Sequence, residues 1–139
     1  MTFSLHPRLA ADTLPVFELP LCSLLLMKDA RFPWVILVPR RADMREIMDL
    51  TVPDQTQLFA EMMQVSRSLR AEFGPDKLNM GAIGNMVAQL HIHLIARFTI
   101  DAAWPRPVWG FETAQPYRAE ESDIMLARLR AHFGTTQQD

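Results

Sequence analysis

Cysteine is nearly missing from this chain of 139 residues: Cys22 stands alone. One thiol closes neither an internal disulfide nor a cysteine-based zinc site, and such usage fits a reducing compartment, the cytoplasm by default. Within its apolar run the thiol is expected to be buried and inert. Charge of one sign is scarce as well. A formal net charge of −2 is too small to draw nucleic acid or an anionic membrane onto the whole surface, so phosphate recognition must be local and the partner small. Long apolar runs are also lacking. Leu19 to Met27 is the longest, too short for a bilayer, interrupted by Pro20 and Ser23 and without the basic lead of a signal peptide. Internal repeats are absent, and low complexity is confined to the last few polar residues. What remains, 49% apolar and 22% charged residues, describes one globular domain, 1–139, with a real core.

The chain then divides into recognisable elements. Pro7, Pro15 and Pro20 fragment residues 1–20, leaving Val16 to Leu19 as a short edge strand. Leu21 to Met27 and Trp34 to Val38 read as an antiparallel hairpin, and Met44 to Leu50 as a short helix. Thr51 offers a helix cap, with Pro53 and Asp54 suited to the first turn. Leu58, Met62, Val65, Leu69 and Phe73 form one apolar stripe on a long helix that Gly74-Pro75 ends. Lys77 to Ile83 reads as a strand, turning at Gly84-Asn85 into the next. Trp104 to Gly110 is too long and aromatic for a simple linker and is expected to cover something. Glu120 to Phe133 predicts a final helix with acidic residues early and Arg128 and Arg130 late.

Residues 86–98 carry the main functional signal. Strict alternation puts Gln89, His91 and His93 on one strand face and Leu90, Ile92 and Leu94 on the other, which docks on the long helix. Same-face neighbours lie roughly 6.5–7 Å apart, so several can touch one phosphate or one metal ion. A neutral imidazole with one nitrogen held as donor is a nucleophile toward phosphorus, and His91 fits that role. Gln89 and His93 would then donate to phosphate oxygens, where charge grows, with Asn85 adding a donor at the turn. Two alternatives stand beside this. The histidines can be plain half-exposed strand residues, or the pair can chelate a metal if a third ligand, such as Asp101, folds in.

Gln89-Leu90-His91-Ile92-His93-Leu94-Ile95 resembles the signature of the histidine triad (HIT) superfamily, His-x-His-x-His and two apolar residues, with glutamine at the first triad position. The early strands ending in Val38-Pro39-Arg40-Arg41, the long helix, Asn79 on a strand and Gly84-Asn85 before the signature agree. So does the Trp-Pro segment after it. The resemblance covers roughly residues 15–110, leaving 111–139 as a C-terminal extension, and is greatest to a bacterial branch that carries this glutamine. It implies an α+β fold: a five-stranded antiparallel sheet with a long helix packed on it and a C-terminal helix, paired in a homodimer. It also implies a nucleotide hydrolase or nucleotidyl transferase that needs neither metal nor cofactor. His91 would attack the α-phosphorus of a nucleotide, a dinucleoside polyphosphate or a nucleoside phosphoramidate, and His93, Asn85, Asn79 and Gln89 would bind the substrate.

Three departures accompany the resemblance. Gln89 replaces an ionisable histidine by a neutral amide that both donates and accepts. Trp34 stands where a histidine is frequent, and Met86 where a hydroxyl contacts phosphate. The ribose-holding residue falls near Lys28 or Asp29. A binding or sensing module with little turnover is therefore the reading from a different functional class, and a histidine-based metal protein the third.

Overall fold

The computed structural model describes residues 2–134, so Met1 and 135–139 of the expected single domain lie outside the described residues. Strands β1 (Thr13–Glu18), β2 (Cys22–Met27), β3 (Trp34–Pro39), β4 (Lys77–Gly81) and β5 (Ile92–Arg97) form one antiparallel sheet in the order β1-β2-β3-β5-β4. Helix α1 (Pro7–Asp12) precedes it, α2 (Val52–Phe73) links β3 to β4, and α3 (Ala119–Arg130) comes last. The α+β fold class, the five strands, the long helix and the terminal helix are those expected. Among the described residues no helix is long and apolar enough to cross a membrane.

Alternation along the strands sorts the sheet into two faces. Ile92 and Leu94 of β5 join Leu24, Leu26, Val35 and Leu37 beneath Leu58, Val65 and Leu69 of α2. Met62 and Phe73 flank that stripe half-buried. Burying each of these leucines contributes about 2 kcal/mol. Thr51 caps α2 by accepting from the Asp54 N–H at 3.3 Å, and Gly74 closes it at φ 56°, a left-handed turn that glycine takes without strain. The stripe also carries Glu61, 1% exposed, whose carboxylate accepts from the Leu21 and Cys22 N–H groups at 2.8 and 2.9 Å. It satisfies two donors that the β1–β2 connection leaves unpaired.

The opposite face gathers Leu25, Trp34, Ile36, Val38 and Ile95 with Val87 and Val108 from the loops. His93, two residues before Ile95, lies on this side, as the alternation requires. The split between Leu90, Ile92 and Leu94 on one face and the histidines on the other is therefore as expected.

The final helix ends at Arg130, three residues before the expected Phe133, and four larger differences each have a physical reason. Pro7 opens a helix rather than breaking one, because the His6 Nδ1 accepts from the Arg8 N–H at 3.0 Å and caps it. The first strand is Thr13–Glu18 rather than Val16 to Leu19; Pro15 is tolerated on an edge strand whose register slips between Pro15 and Phe17. The helix expected over Met44 to Leu50 is a single 3-10 turn, Ile47–Asp49. β4 stops at Gly81, and β5 follows after residues 82–91 rather than a tight Gly84-Asn85 turn. The Leu90 N–H donates to Met44 O at 2.9 Å instead of extending the β4–β5 ladder. Gln89 and His91 thus precede the strand instead of lying on it.

Candidate active site

His91 sits directly before β5, where the chain arrives from the loop, and the residue is 7% exposed. Its Nδ1–H donates to the Gln89 carbonyl oxygen at 2.6 Å. A carbonyl only accepts, so the proton belongs on Nδ1 and the lone pair on Nε2. A single backbone contact therefore fixes both tautomer and ring plane, and leaves the nitrogen needed for attack on phosphorus free.

His93 is oriented from the neighbouring strand. Trp34 of β3 donates its indole N–H to His93 Nδ1 at 3.0 Å. An indole nitrogen only donates, so His93 carries its proton on Nε2, as a neutral donor. Burial first, and the neighbouring His91 imidazole second, disfavour a charge on His93 and push it down from 6.5 to about 4. The His91 and His93 rings meet edge to face at 4.9 Å, and Trp109 closes on His93 at 5.4 Å. Trp109 can lie so close because Gly81 of β4 has no side chain: a Cβ there would come within 3.2 Å of its ring. Trp34 was legible only as a departure from a sequence pattern; its role as the group that orients His93 depends on the β3–β5 pairing.

Both histidines line a cavity of about 270 Å³, together with Asn85, Met86, Trp109, Arg8 and Asp12. His91, His93 and Asn85 are thus brought together. Gln89 and Asn79 are not. The Gln89 amide faces the N-terminal segment, its Oε1 accepting from the His6 N–H at 2.8 Å and its Nε2 donating to Ser4 O at 2.9 Å. Asn79 Oδ1 accepts from Arg97 Nη1 at 2.8 Å. Arg97 is 1% exposed and holds Asp101 through two further bonds, at 2.8 and 3.1 Å, between the rings of Phe32 and Trp104. Burial alone would raise the Asp101 carboxyl, but the hydrogen bonds from Arg97 and from loop N–H groups bring it to about 2. This network ties down the start of the loop that carries Trp109. Among the described residues no group of three His, Cys, Asp or Glu side chains is gathered that could hold a metal ion, so the histidine pair has no third ligand of those types there.

A second cavity, about 290 Å³, adjoins the first and shares Asp12, Met27, Trp34 and Gly110 with it. Lys28 and Asp29 both line it, yet both are engaged. Lys28 Nζ donates to Ala11 O at 2.9 Å. Asp29 is gripped by Arg31 through three bonds, and although burial works to raise its carboxyl, those bonds hold it below the usual range. Arg31 in turn donates to Phe111 O at 2.9 Å, anchoring the loop that forms the far wall. Asp12, at the end of α1, is the half-exposed carboxylate that borders both cavities. Sequence reasoning missed it because α1 itself was missed.

Comparison with known proteins agrees with this geometry. Residues 8–100 match the family model of the HIT domain. A histidine triad protein from Bradyrhizobium japonicum is 48% identical, with a TM-score of 0.93 over 95% of this chain and 98% of that one. A histidine triad protein from Marinobacter aquaeolei VT8 is 45% identical, with a TM-score of 0.94 over 97% and 98%. Among curated proteins, the bis(5'-adenosyl)-triphosphatase of Saccharomyces cerevisiae is 28% identical over 72 residues, 48% of this chain but only 35% of the yeast protein. The aligned stretch thus spans about a third of that relative's length. With its family model matched over more than half its length and its fold shared nearly end to end with two histidine triad proteins, the chain belongs to the HIT-domain family.

Proposed function

We propose that the protein is a nucleotide hydrolase or nucleotidyl transferase acting at an α-phosphate through a nucleotidyl-histidine on His91. The observation that carries this reading is the 2.6 Å bond from His91 Nδ1–H to Gln89 O, which leaves Nε2 unprotonated at the margin of a cavity. Nε2 would attack phosphorus, the bond to the leaving group would break with its electron pair, and water or another acceptor would then cleave the P–N bond. His93 Nε2–H and Asn85 would donate to phosphate oxygens as charge builds there. The two adjoining cavities suit a phosphate and a nucleoside, and the similarity to a dinucleoside triphosphatase supports a nucleotide or dinucleoside polyphosphate substrate, with a nucleoside phosphoramidate as the other candidate. Asp12 would take the ribose-binding place expected of Lys28 or Asp29. A homodimer, joined along the outer edge of β4 where Met80 is exposed, and a cytoplasmic setting complete the proposal.

Rapid quenching after mixing with diadenosine triphosphate is expected to trap an adenylyl adduct that His91→Ala loses. Failure to trap any adduct across adenosine and guanosine substrates would overturn the assignment. The second reading is a binding module with little turnover, favoured by the exposed thioether of Met86 at the cavity and by Gln89 turned toward Ser4 and His6. Calorimetric binding of a nucleoside monophosphate without hydrolysis of any tested substrate would select it.

A further inference from the structure

We propose that Gln89 is a positioning residue that latches residues 4–6 beside His91, and that the latch holds Arg8 at the histidine cavity to receive the phosphate oxygens of an anionic leaving group. The inference rests on His91 as the nucleophile and narrows the substrate class from there.

The latch uses both ends of one amide: Oε1 takes the His6 N–H and Nε2 reaches Ser4 O. Only a group that donates and accepts through a short planar fork satisfies both at once. Phe3 and Leu5 pack against the cluster containing Val87 and Val108, so apolar contact holds the same segment. Residues 2–7 lie just before the stretch that matches the family model. His6 then caps α1, and Arg8 follows on its first turn. Arg8 is the one lysine or arginine among the described residues lining the histidine cavity. Its side chain is 54% exposed and meets Asp12 only at 3.8 Å, a loose i,i+4 pair that an anion can displace.

The chemistry explains why such a charge belongs there. When Nε2 attacks and the P–O bond breaks, a phosphate-type leaving group departs with the electron pair as a stable anion and needs a cation rather than a proton. An amine leaving group must gain a proton, and the groups lining the cavity beside His91 are poor acids: Asn85 is an amide, and His93 is kept neutral by burial. Arginine offers planar, paired donors suited to phosphate oxygens.

The test compares diadenosine triphosphate with an adenosine phosphoramidate in the full chain. Arg8→Met should lower kcat/KM by at least about tenfold for the triphosphate and by less than about threefold for the phosphoramidate, with partial rescue in Arg8→Lys. Gln89→Glu keeps the acceptor but loses the donor. It should show the same substrate-selective loss, make residues 2–12 more open to limited proteolysis, and add little when combined with Arg8→Met. An equal loss on both substrates, no loss, or additive effects would overturn the proposal. Adduct formation on His91 is read in parallel, so failure of the nucleophile is seen separately. Should no turnover occur, calorimetric binding of inorganic triphosphate decides: weakening in Arg8→Met supports the assignment, and unchanged binding overturns it.

Discussion

The two faces of the sheet are filled by different chemistry. Under α2 the buried groups are almost all aliphatic, and Glu61 is spent on backbone N–H groups. On the other face His91, His93, Asp29 and Arg97 are buried among tryptophans and phenylalanines, each held by named hydrogen bonds. Apolar burial is non-directional and supplies stability, whereas a buried polar group is tolerated only where its partners are placed for it. One face thus keeps the fold together. The other fixes proton positions, and its cost in desolvation is offset by the first.

Substitutions can break this division of labour. The largest effect is expected on the polar face without loss of stability: His91→Ala should reduce turnover by about a thousandfold or more, roughly 4 kcal/mol of activation free energy, with an unchanged urea midpoint. Leu94, fully buried against α2, gives the mirror image. Leu94→Ala should cost about 3–4 kcal/mol in urea unfolding, while KM of the folded fraction stays the same.

The pH response of stability sharpens the contrast. His93 drops to about 4 in the fold against 6.5 unfolded, so between those values the unfolded chain binds a proton that the folded chain does not. Stability should therefore be full above pH 6.5 and fall as pH drops toward 4, by roughly 3 kcal/mol in all. His93→Gln should flatten urea midpoints over that window. The window lies largely above that of Asp101, which falls to about 2 and whose contribution is lost only below the usual carboxylate range. Glu61→Gln turns one of the two acceptors into a donor and should destabilise by about 2 kcal/mol without changing activity. The smallest effect is at the surface: Thr51→Ala removes the α2 cap and should cost about 1 kcal/mol by thermal unfolding.

Helix α2 was readable from sequence because a cap, a 3.6-residue stripe and Gly74-Pro75 are all local. The histidine strand was readable from its period of two, and its resemblance to a known signature pointed to His91 as the proposed nucleophile. What escaped depends on distant partners. His6 is not among the common capping residues, so α1 went unseen, and Arg8 and Asp12 with it. Gln89 looked like a third member of the histidine face, but the Leu90 N–H is bonded to Met44 O before the strand begins. Asn79 carries no local mark of Arg97, eighteen positions away, as its partner. Trp34 looked like the loss of a histidine, and only the strand pairing reveals the N–H it presents to His93.

Strand β5 runs between β3 and β4 rather than along a border of the sheet. Its amides should therefore be among the last to take up deuterium. His93 is mounted on this interior rail and His91 directly at its start, so their spacing should persist while the periphery opens. A ligand recognising them consequently reports on global integrity, and its dissociation on warming should track cooperative melting instead of fraying at the ends.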